Sequence, residues 1–407
     1  MTDPLISLRR RQMLAGSAGA LAAAGLGGLT GNAAAQAAAA SAPAGPRPLP
    51  PYAAWKDASS MIVHSSNTIE TRRSAFGTSV ITPAEKLFVR NNLPPPDASI
   101  VANRDAWQVS IEGVRNPRNV SVAELKTIGL ETIATVVQCS GNGRGFFPSK
   151  PSGTPWNAGA AGCVVWSGVP VRFVAEVLGG VAPGAVYLTG TGGETLPAGV
   201  DPLTVVVERS LPLKALNDAI LAWEMNGAPI PLAHGGPLRL IAPGYSGVNN
   251  IKYVKRVAFG SVESKARIMS HGYRMTPLGG AAAPNQPSVL EMEVKSWVNH
   301  PGAERPVAAG TVYVTGVAFG AGSPIRRVEV SSDGGRSWLD AAFVGPDLGR
   351  FAWRQFALPL RMVPGNYIIT SRATDAAGNV QSETRFENAG GYSNASWRDH
   401  ALPVTVV

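Results

Sequence analysis

Glycine and proline interrupt this chain so often that long helices are excluded over most of its length. The 407 residues include 46 glycines and 33 prolines. Glycine favours turns and proline cannot continue a helix, so this density is typical of short strands and short helices. The sequence therefore predicts an α+β fold rather than a helical bundle, and its length predicts two domains behind a leader.

The first 37 residues have the pattern of an export signal. Three consecutive arginines, Arg9, Arg10 and Arg11, precede an Ala/Gly/Leu stretch at 15–29, and Ala35-Gln36-Ala37 is a candidate cleavage site. The apolar stretch is short and rich in glycine, which argues against a permanent membrane anchor. We expect a twin-arginine signal at 1–37 that exports the folded protein to the periplasm, and an Ala/Pro-rich arm at 38–54.

Residues 55–285 combine short strands with short helices, and we expect them to form the first domain. The run around Val109 alternates apolar and polar residues, which predicts a strand. Ser121 precedes Glu124 by three residues, a pattern that predicts a capped helix. The run at 173–178 predicts a second helix because two glycines follow it.

From residue 286 onward, short β-branched runs alternate with turn signals such as Asp333-Gly334-Gly335. The runs lie at 312–318, 327–331, 367–373 and 404–407. Turn signals at this spacing predict an all-β sandwich at 286–407.

The formal net charge of the sequence is +9, of which the leader contributes +2, so the remainder carries about +7. No run of lysine and arginine interleaved with aromatic residues accompanies this charge, so we expect no nucleic-acid partner. The excess favours anionic ligands and an acidic partner, and a generally basic surface explains it equally well.

Cys139 lies where a predicted strand at 133–137 gives way to a Ser/Gly/Asn turn, and Arg144 follows five residues later. A thiolate beside backbone N–H groups and a guanidinium suits a metal centre that handles anions. A buried free cysteine is the alternative, and this stretch alone favours it. The second cysteine, Cys163, could pair with Cys139 in an exported protein, but its apolar surroundings favour a buried structural thiol.

Motifs elsewhere in the chain favour the metal-ligand interpretation of Cys139 over a buried free cysteine. Together these motifs resemble the sulfite oxidase family of molybdoenzymes. The motifs lie at 88–94, 138–142, 223–227 and 234–239, the last followed by Lys252. The resemblance covers residues 75–407. It implies an α+β fold in which a molybdopterin-binding domain at 55–285 precedes an immunoglobulin-like dimerisation domain at 286–407.

The resemblance implies molybdenum and molybdopterin as cofactors, with the Cys139 thiolate as the metal ligand. It also implies that Asn91, His234, Arg239 and Lys252 bind the pterin, the last three especially at its phosphate. A buried phosphate needs cations and donors, which these side chains supply. His234 by itself is more often a core histidine, and its context reverses that expectation.

Arg90, Arg144 and Tyr273 match the family's active-site residues, which implies oxidation of sulfite to sulfate by oxygen-atom transfer. A guanidinium can bind two oxygens of an oxyanion, and a phenol can hydrogen-bond the substrate and pass protons. The alternative is that the arginines form surface ion pairs and that Tyr273 is structural.

Two positions depart from the family. Asn92 stands where many members have histidine, and asparagine cannot titrate, so we expect a different pH dependence. Gly143 replaces an arginine that is common in animal and plant members. Gly143 makes the chain similar to the bacterial sulfite dehydrogenases of the family.

The sequence contains no Cys-x-x-Cys-His haem motif and no cytochrome b5 pattern around His300. We therefore expect electrons to leave one at a time to an external cytochrome c, which could be a separate haem subunit, and we expect a homodimer. Two alternatives remain open: a family reductase acting on a sulfoxide or nitrate, and a non-catalytic exported binding protein.

Overall fold

The computed structural model describes residues 47–407. The predicted export signal at 1–37 and the first part of the predicted arm at 38–54 lie outside these residues. None of the helices within 47–407 combines the length and the apolar character that a bilayer span requires.

Strands dominate the regular structure of the described residues. The strands are β1 (Met61–Ser65), β2 (Thr68–Thr71), β3 (Val89–Arg90), β4 (Gln108–Glu112), β5 (Arg118–Ser121), β6 (Glu131–Gln138), β7 (Ala161–Pro170), β8 (Tyr187–Thr191), β9 (Glu208–Pro212), β10 (Ile220–Met225), β11 (Ala228–Pro229), β12 (Arg239–Ile241), β13 (Arg256–Gly260), β14 (Lys295–His300), β15 (Gly310–Phe319), β16 (Ile325–Ser331), β17 (Leu339–Asp340), β18 (Ala342–Val344), β19 (Arg354–Met362), β20 (Gly365–Asp375) and β21 (Leu402–Val406).

The helices are short. The α-helices are α1 (Val122–Ile128), α2 (Val171–Val177), α3 (Pro202–Val205) and α4 (Arg267–Ser270). Single turns of 3-10 helix occur at Pro51–Ala53, Ala58–Ser60, Arg73–Phe76, Ala98–Val101, Arg104–Ala106, Arg144–Phe146, Leu213–Asn217, Leu232–His234 and Gly247–Asn249.

Two five-stranded sheets form most of the first half of the described chain. One has the order β11-β10-β7-β6, with β12 also paired to β10, and the other has the order β5-β4-β13-β8-β9. Strands β4 and β13 run parallel, while the other pairs in these sheets are antiparallel. Val109, Leu188, Leu240 and Val257 belong to one buried cluster, so the two sheets share a core.

The two predicted helices are confirmed, and both begin or end as their sequences indicate. The Ser121 hydroxyl accepts a hydrogen bond from the Glu124 N–H at 3.1 Å and so caps α1. Helix α2 is followed by Gly179 and Gly180 with φ of 87° and 91°, a backbone conformation that favours glycine.

The second half is a β-sandwich, as predicted. Its sheets have the orders β14-β15-β19-β18 and β17-β16-β20-β21. Val314 and Phe356 from one sheet and Val330 and Ile369 from the other share a buried core. The α+β prediction is therefore confirmed, and the predicted boundary at 286 lies nine residues before β14 begins.

A third core joins the sandwich to the sheet that carries β6. Trp297 and Trp353 of the sandwich pack in one buried cluster with Val136 of β6 and Cys163 of β7. The Val136 N–H donates to the Phe351 carbonyl at 2.8 Å, which fastens β6 to the second domain. Both cysteines are free thiols, and burial raises the pKa of Cys163 to about 12, which agrees with an inert structural thiol.

Candidate active site

A cavity at the end of β6 gathers seven of the eight side chains that the sequence singles out: Arg90, Asn91, Cys139, His234, Arg239, Lys252 and Tyr273. The remainder of its lining is Leu87, Phe88, Asn92, Val137, Ser140, Glu194, Val207, Gly247, Val248 and Asn250. Arg144 is the predicted residue that the cavity lining lacks.

Cys139 is held in place by a turn that is hydrogen-bonded on both sides. Its N–H donates to the Ala160 carbonyl at 2.9 Å. The Asn142 amide donates to the Gln138 side chain at 3.0 Å and accepts from the Ala160 N–H at 3.1 Å. Gly143 follows with φ of 88°, which turns the chain away from the strand direction. The thiol is consequently presented to the cavity from a rigid turn, with 7% of the residue exposed.

Four basic side chains converge beside the cavity. The Lys56 amine lies 3.1 Å from His234 Nε2, and Arg239 donates to the His234 carbonyl at 2.9 Å. Lys252 donates to the Asn91 side chain at 2.6 Å. Lys56 was not predicted as a site residue, because no local motif marks a lysine that reaches a histidine 178 residues later.

Burial and mutual repulsion make this basic cluster unfavourable without an anion. Burial lowers the pKa of Lys56 to about 7 and that of Arg239 to about 10. Burial, together with the neighbouring cations, lowers the pKa of His234 and of Lys252 well below their usual values. A bound phosphate would restore the charged forms by supplying the missing opposite charge.

Buried polar atoms in the cavity wall indicate a ligand that also offers hydrogen bonds. Arg239 Nε, Ser140 Oγ and Glu194 Oε2 are buried and have no hydrogen-bond partner among residues 47–407. Burial raises the pKa of Glu194 to about 7, so its carboxyl group can donate or accept a hydrogen bond near neutrality. Unpaired polar atoms beside a basic cluster fit molybdopterin, which carries both a phosphate and a polar ring system.

Arg90 and Tyr273 meet at a common acceptor, the side-chain oxygen of Asn92. Arg90 donates to this oxygen at 2.7 Å and also to the Asn91 carbonyl, and the Tyr273 hydroxyl donates to it at 3.3 Å. Burial opposes the charge on Arg90, but Tyr273 and Cys139 nearby outweigh that effect and the pKa of Arg90 is raised. Arg90 therefore remains a cation beside the thiol.

Arg144 lies outside the cavity lining, so its predicted contact with substrate stays a prediction. Its Nε donates to the Gly390 carbonyl at 2.9 Å and its Nη1 to the Thr154 carbonyl at 3.1 Å. The guanidinium lies 5.2 Å from the centre of the Tyr392 ring. Two of its donors thus hold backbone carbonyls, one of them in a loop of the second domain, and proximity to Cys139 in sequence does not bring Arg144 into the cavity lining.

That loop, residues 388–394, lies against the turn that carries Cys139. The Ser393 N–H donates to the Ser140 carbonyl at 2.9 Å. The Tyr392 ring stacks on the Tyr273 ring with centroids 5.1 Å apart and planes inclined by 25°. The sequence did not single out this loop, since its contacts with the cavity join residues far apart in the chain.

Two family models match the chain in the order of its domains. The oxidoreductase molybdopterin binding domain matches residues 95–268, and the Mo-co oxidoreductase dimerisation domain matches residues 286–405. Fold and cavity together therefore define a molybdopterin oxidoreductase.

Sequence relatives narrow this class. Sulfite oxidase from Gallus gallus is 29% identical over 324 residues, which span 75% of this chain and 68% of the relative. Sulfite oxidase from Arabidopsis thaliana is 27% identical over 366 residues, 81% of this chain and 89% of the relative. The chain belongs to the sulfite oxidase family, and its cofactor is molybdenum with molybdopterin.

A solved structure shares the fold. The sulfane dehydrogenase SoxCD from Paracoccus pantotrophus superposes with a TM-score of 0.70 at 23% identity. The match covers 85% of this chain and 88% of that one, so both domains and their order are common to the two proteins.

Proposed function

We propose that the protein oxidises sulfite to sulfate at a molybdenum centre whose protein ligand is the Cys139 thiolate. The observation that carries the proposal is a single cavity in which Cys139, Arg90 and Tyr273 meet. In the net reaction, water supplies one oxygen atom, two protons are released and two electrons pass to an acceptor. The molybdenum–dithiolene group supplies the oxygen-atom transfer and the two-electron chemistry when it is bound.

The protein's part in binding the cofactor is to supply charge and a soft ligand. Lys56, His234, Arg239 and Lys252 would hold the phosphate, which explains why four basic groups, three of them buried, lie together. A thiolate such as that of Cys139 is a soft anionic ligand suited to the metal. These assignments place the phosphate on the basic side of the cavity and the metal beside β6.

Arg90 would bind the sulfite, and Tyr273 lies beside it. The guanidinium of Arg90 can bind two oxygens of sulfite at once, and Asn92 orients it by accepting one of its N–H groups. The Tyr273 hydroxyl can donate to the same oxyanion and carry a proton when water enters. A fixed cation at this point stabilises the negative charge that builds up as sulfite approaches.

We infer that an external cytochrome c accepts the electrons one at a time and that the protein is a homodimer. The absence of a haem motif from the sequence supports a separate acceptor, which could be a permanently bound haem subunit. The match to a dimerisation domain supports the dimer.

The test is an assay of the purified full-length protein with its metal content determined in parallel. We expect about one molybdenum per chain and sulfite-dependent reduction of cytochrome c. Ferricyanide as a second acceptor separates a wrong acceptor from a wrong substrate. Cys139→Ser should abolish sulfite oxidation while leaving the secondary structure intact, because a neutral hydroxyl poorly replaces a thiolate.

Three outcomes would contradict the proposal. Reduction of nitrate or of a sulfoxide by the molybdenum-loaded protein, without sulfite oxidation, would identify a family reductase instead. Full activity of metal-loaded Cys139→Ser would remove Cys139 from the metal. Protein without molybdenum when purified from a host that makes the cofactor would favour a binding protein.

We propose that residues 1–37 export the protein, already folded around its cofactor, to the periplasm by the twin-arginine route. The support is the sequence pattern around Arg10 and Arg11. Replacing both arginines with lysine should leave the full-length precursor in the cytoplasm, detected by fractionation. Unchanged export of this variant would show that another route is used.

A further inference from the structure

We propose that Tyr392, a side chain of the second domain, is a positioning residue for the substrate-binding side of the cavity. The inference rests on the proposed function, because it concerns how Arg90 and Tyr273 are held for an oxyanion. Tyr392 does not line the cavity and acts through Tyr273.

The ring of Tyr273 is fixed by its neighbours rather than by its own backbone preference. Its φ is 52°, a region that residues other than glycine seldom adopt. The ring stacks on Tyr392 at 5.1 Å, and the buried Arg209 guanidinium lies 5.7 Å from its centre. Arg209 is held in turn by the Asn249 side chain at 3.0 Å. An unusual backbone conformation persists only where surrounding contacts determine it, and Tyr392 supplies one of those contacts.

Tyr392 is itself immobilised. The Asn388 side chain accepts from the Tyr392 N–H at 2.9 Å and donates to the Tyr392 carbonyl at 3.0 Å, and Asn388 is fully buried. The Arg144 guanidinium lies 5.2 Å from the centre of the ring. Burial raises the pKa of Tyr392 to about 12, so the phenol stays neutral beside the cavity. The loop therefore presents a rigid, uncharged ring to Tyr273.

The path from Tyr392 to the substrate runs through three side chains in contact. The Tyr273 hydroxyl donates to Asn92, and the same oxygen of Asn92 accepts from Arg90. Movement of the Tyr273 ring would alter the acceptor that orients Arg90. This path also gives Arg144 a role at the site although it does not line the cavity, because Arg144 supports Tyr392.

The test compares Tyr392→Leu with Tyr392→Phe in the cofactor-loaded, full-length protein. Loss of the aromatic pair should raise both KM for sulfite and Kd for sulfate by about two- to tenfold, the usual effect of such a pair. The value of kcat should change less than KM. Tyr392→Phe keeps the ring and should stay within about twofold of the wild type. Calorimetric titration with sulfate provides a readout that does not depend on turnover.

Two further variants complete the design. Tyr313→Leu makes the same change at a tyrosine of β15 that is 60% exposed, and it should leave KM and Kd unchanged. If Tyr392→Leu does not load its cofactor, Tyr392→Met, whose side chain is longer and more flexible, is measured in the same way.

The outcomes separate this proposal from the proposed function. A lower melting temperature of Tyr392→Leu with unchanged KM and Kd would show a merely structural role and overturn the proposal. Equal losses in Tyr392→Phe and Tyr392→Leu would also overturn it, because the hydroxyl rather than the stacked ring would then matter. A wild type that binds sulfate without oxidising sulfite would refute the function alone, and a wild type that does neither would refute both.

Discussion

At the scale of single residues, the side-chain oxygen of Asn92 decides how Arg90 and Tyr273 are arranged. Arg90 and Tyr273 both donate to it, so its two lone pairs are shared between the two groups assigned to the substrate. A carboxamide does not titrate between pH 5 and 9. The orientation of Arg90 should therefore not change with pH through this neighbour.

Arg90→Gln should lower kcat/KM for sulfite by about ten- to a hundredfold, since a hydrogen bond to a charged group contributes about 1.5–3 kcal/mol. Molybdenum content should be unchanged because Arg90 is assigned to the substrate. Added sulfate should inhibit the wild type by competition and the variant less. Arg326→Gln, an exposed arginine of the sandwich, is the matched control. Loss of activity only through loss of metal would refute the assignment.

Lys295 is a second residue whose environment the sequence does not reveal. Its residue is 2% exposed, and its amine has no hydrogen-bond partner within the described part of the chain. Burial lowers its pKa to about 7; Glu293 and Asp399 oppose this, while Arg73 reinforces it. The Trp297 ring centre lies 5.7 Å away. A buried, unpaired amine of this kind destabilises the folded state.

Lys295→Met should raise the free energy of unfolding at pH 7 by about 1–4 kcal/mol, the range seen when buried charges are replaced by apolar side chains. Between pH 7 and the ordinary lysine pKa of 10.5, the unfolded chain binds a proton that the folded chain lacks. The Lys295 amine therefore makes the free energy of unfolding of the wild type rise with pH between pH 7 and 10.5. The difference in stability between Lys295→Met and the wild type should shrink over the same range.

Denaturant unfolding of the cofactor-loaded protein at two pH values within this window measures the effect. Lys265→Met, at an exposed lysine, controls for the loss of charge alone. A variant less stable than the wild type at pH 7 would mean that the amine has a partner, such as an ordered water, that stabilises it.

At the scale of elements, the turn after β6 and the loop at 388–394 form one unit around Arg144. A Cβ added at Gly141, Gly153 or Gly391 would come within 2.5–2.9 Å of the Arg144 side chain. These three glycines thus leave the space that the Arg144 side chain occupies. The unit joins the first domain to the second at the point where Cys139 is presented.

Arg144→Met should lower the free energy of unfolding by about 1–3 kcal/mol, because it leaves two carbonyls without their donor. KM for sulfite should rise less than in Arg90→Gln, since Arg144 acts through Tyr392. Thermal unfolding and steady-state kinetics measure the two effects, and Arg144→Lys should be intermediate. A larger rise in KM than in Arg90→Gln would indicate that Arg144 contacts the substrate directly.

Elements with local signals could be predicted from the sequence, and those formed by distant partners could not. The strand β6, the cap of α1 and the sandwich strands follow from β-branched runs, capping residues and turns. The small sheet of β1, β2 and β3 was not predicted, nor was the destination of Arg144. Arg144 donates to the carbonyl of Gly390, which lies 246 residues further along the chain. No pattern within a short stretch of sequence encodes that pairing.

At the scale of the whole molecule, the two domains depend on each other through the buried cluster of Trp297, Trp353, Val136 and Cys163. Seven of the eight predicted site residues still meet in one cavity, because the resemblance assigned them from several motifs together. The contacts that the second domain makes with Tyr273 and Ser140, at Tyr392 and Ser393, were missed, since the resemblance implies dimerisation for this domain.

Residues 38–285 alone should be less soluble and more monomeric than the full chain. The physical reason is that removal of the sandwich exposes the apolar side of β6 and β7 around Val136 and Cys163. Light scattering on both chains measures mass and aggregation. A full-length protein that stays monomeric at high concentration would rule out the dimer, and a soluble, cofactor-loaded 38–285 fragment would show that the shared core is dispensable.

The bond between Asn394 and the carbonyl of Gly143, at 3.0 Å, joins residues 251 positions apart. A ribosome working at roughly 5–20 residues per second needs roughly 13–50 s to make the intervening chain. During that interval the turn that carries Cys139 lacks the second-domain hydrogen-bond partners of Ser140, Gly143 and Arg144, which lie within residues 388–394. With Cys139 as the proposed ligand, we expect metal insertion to follow the synthesis of residues 388–394, because the turn lacks its second-domain partners until then.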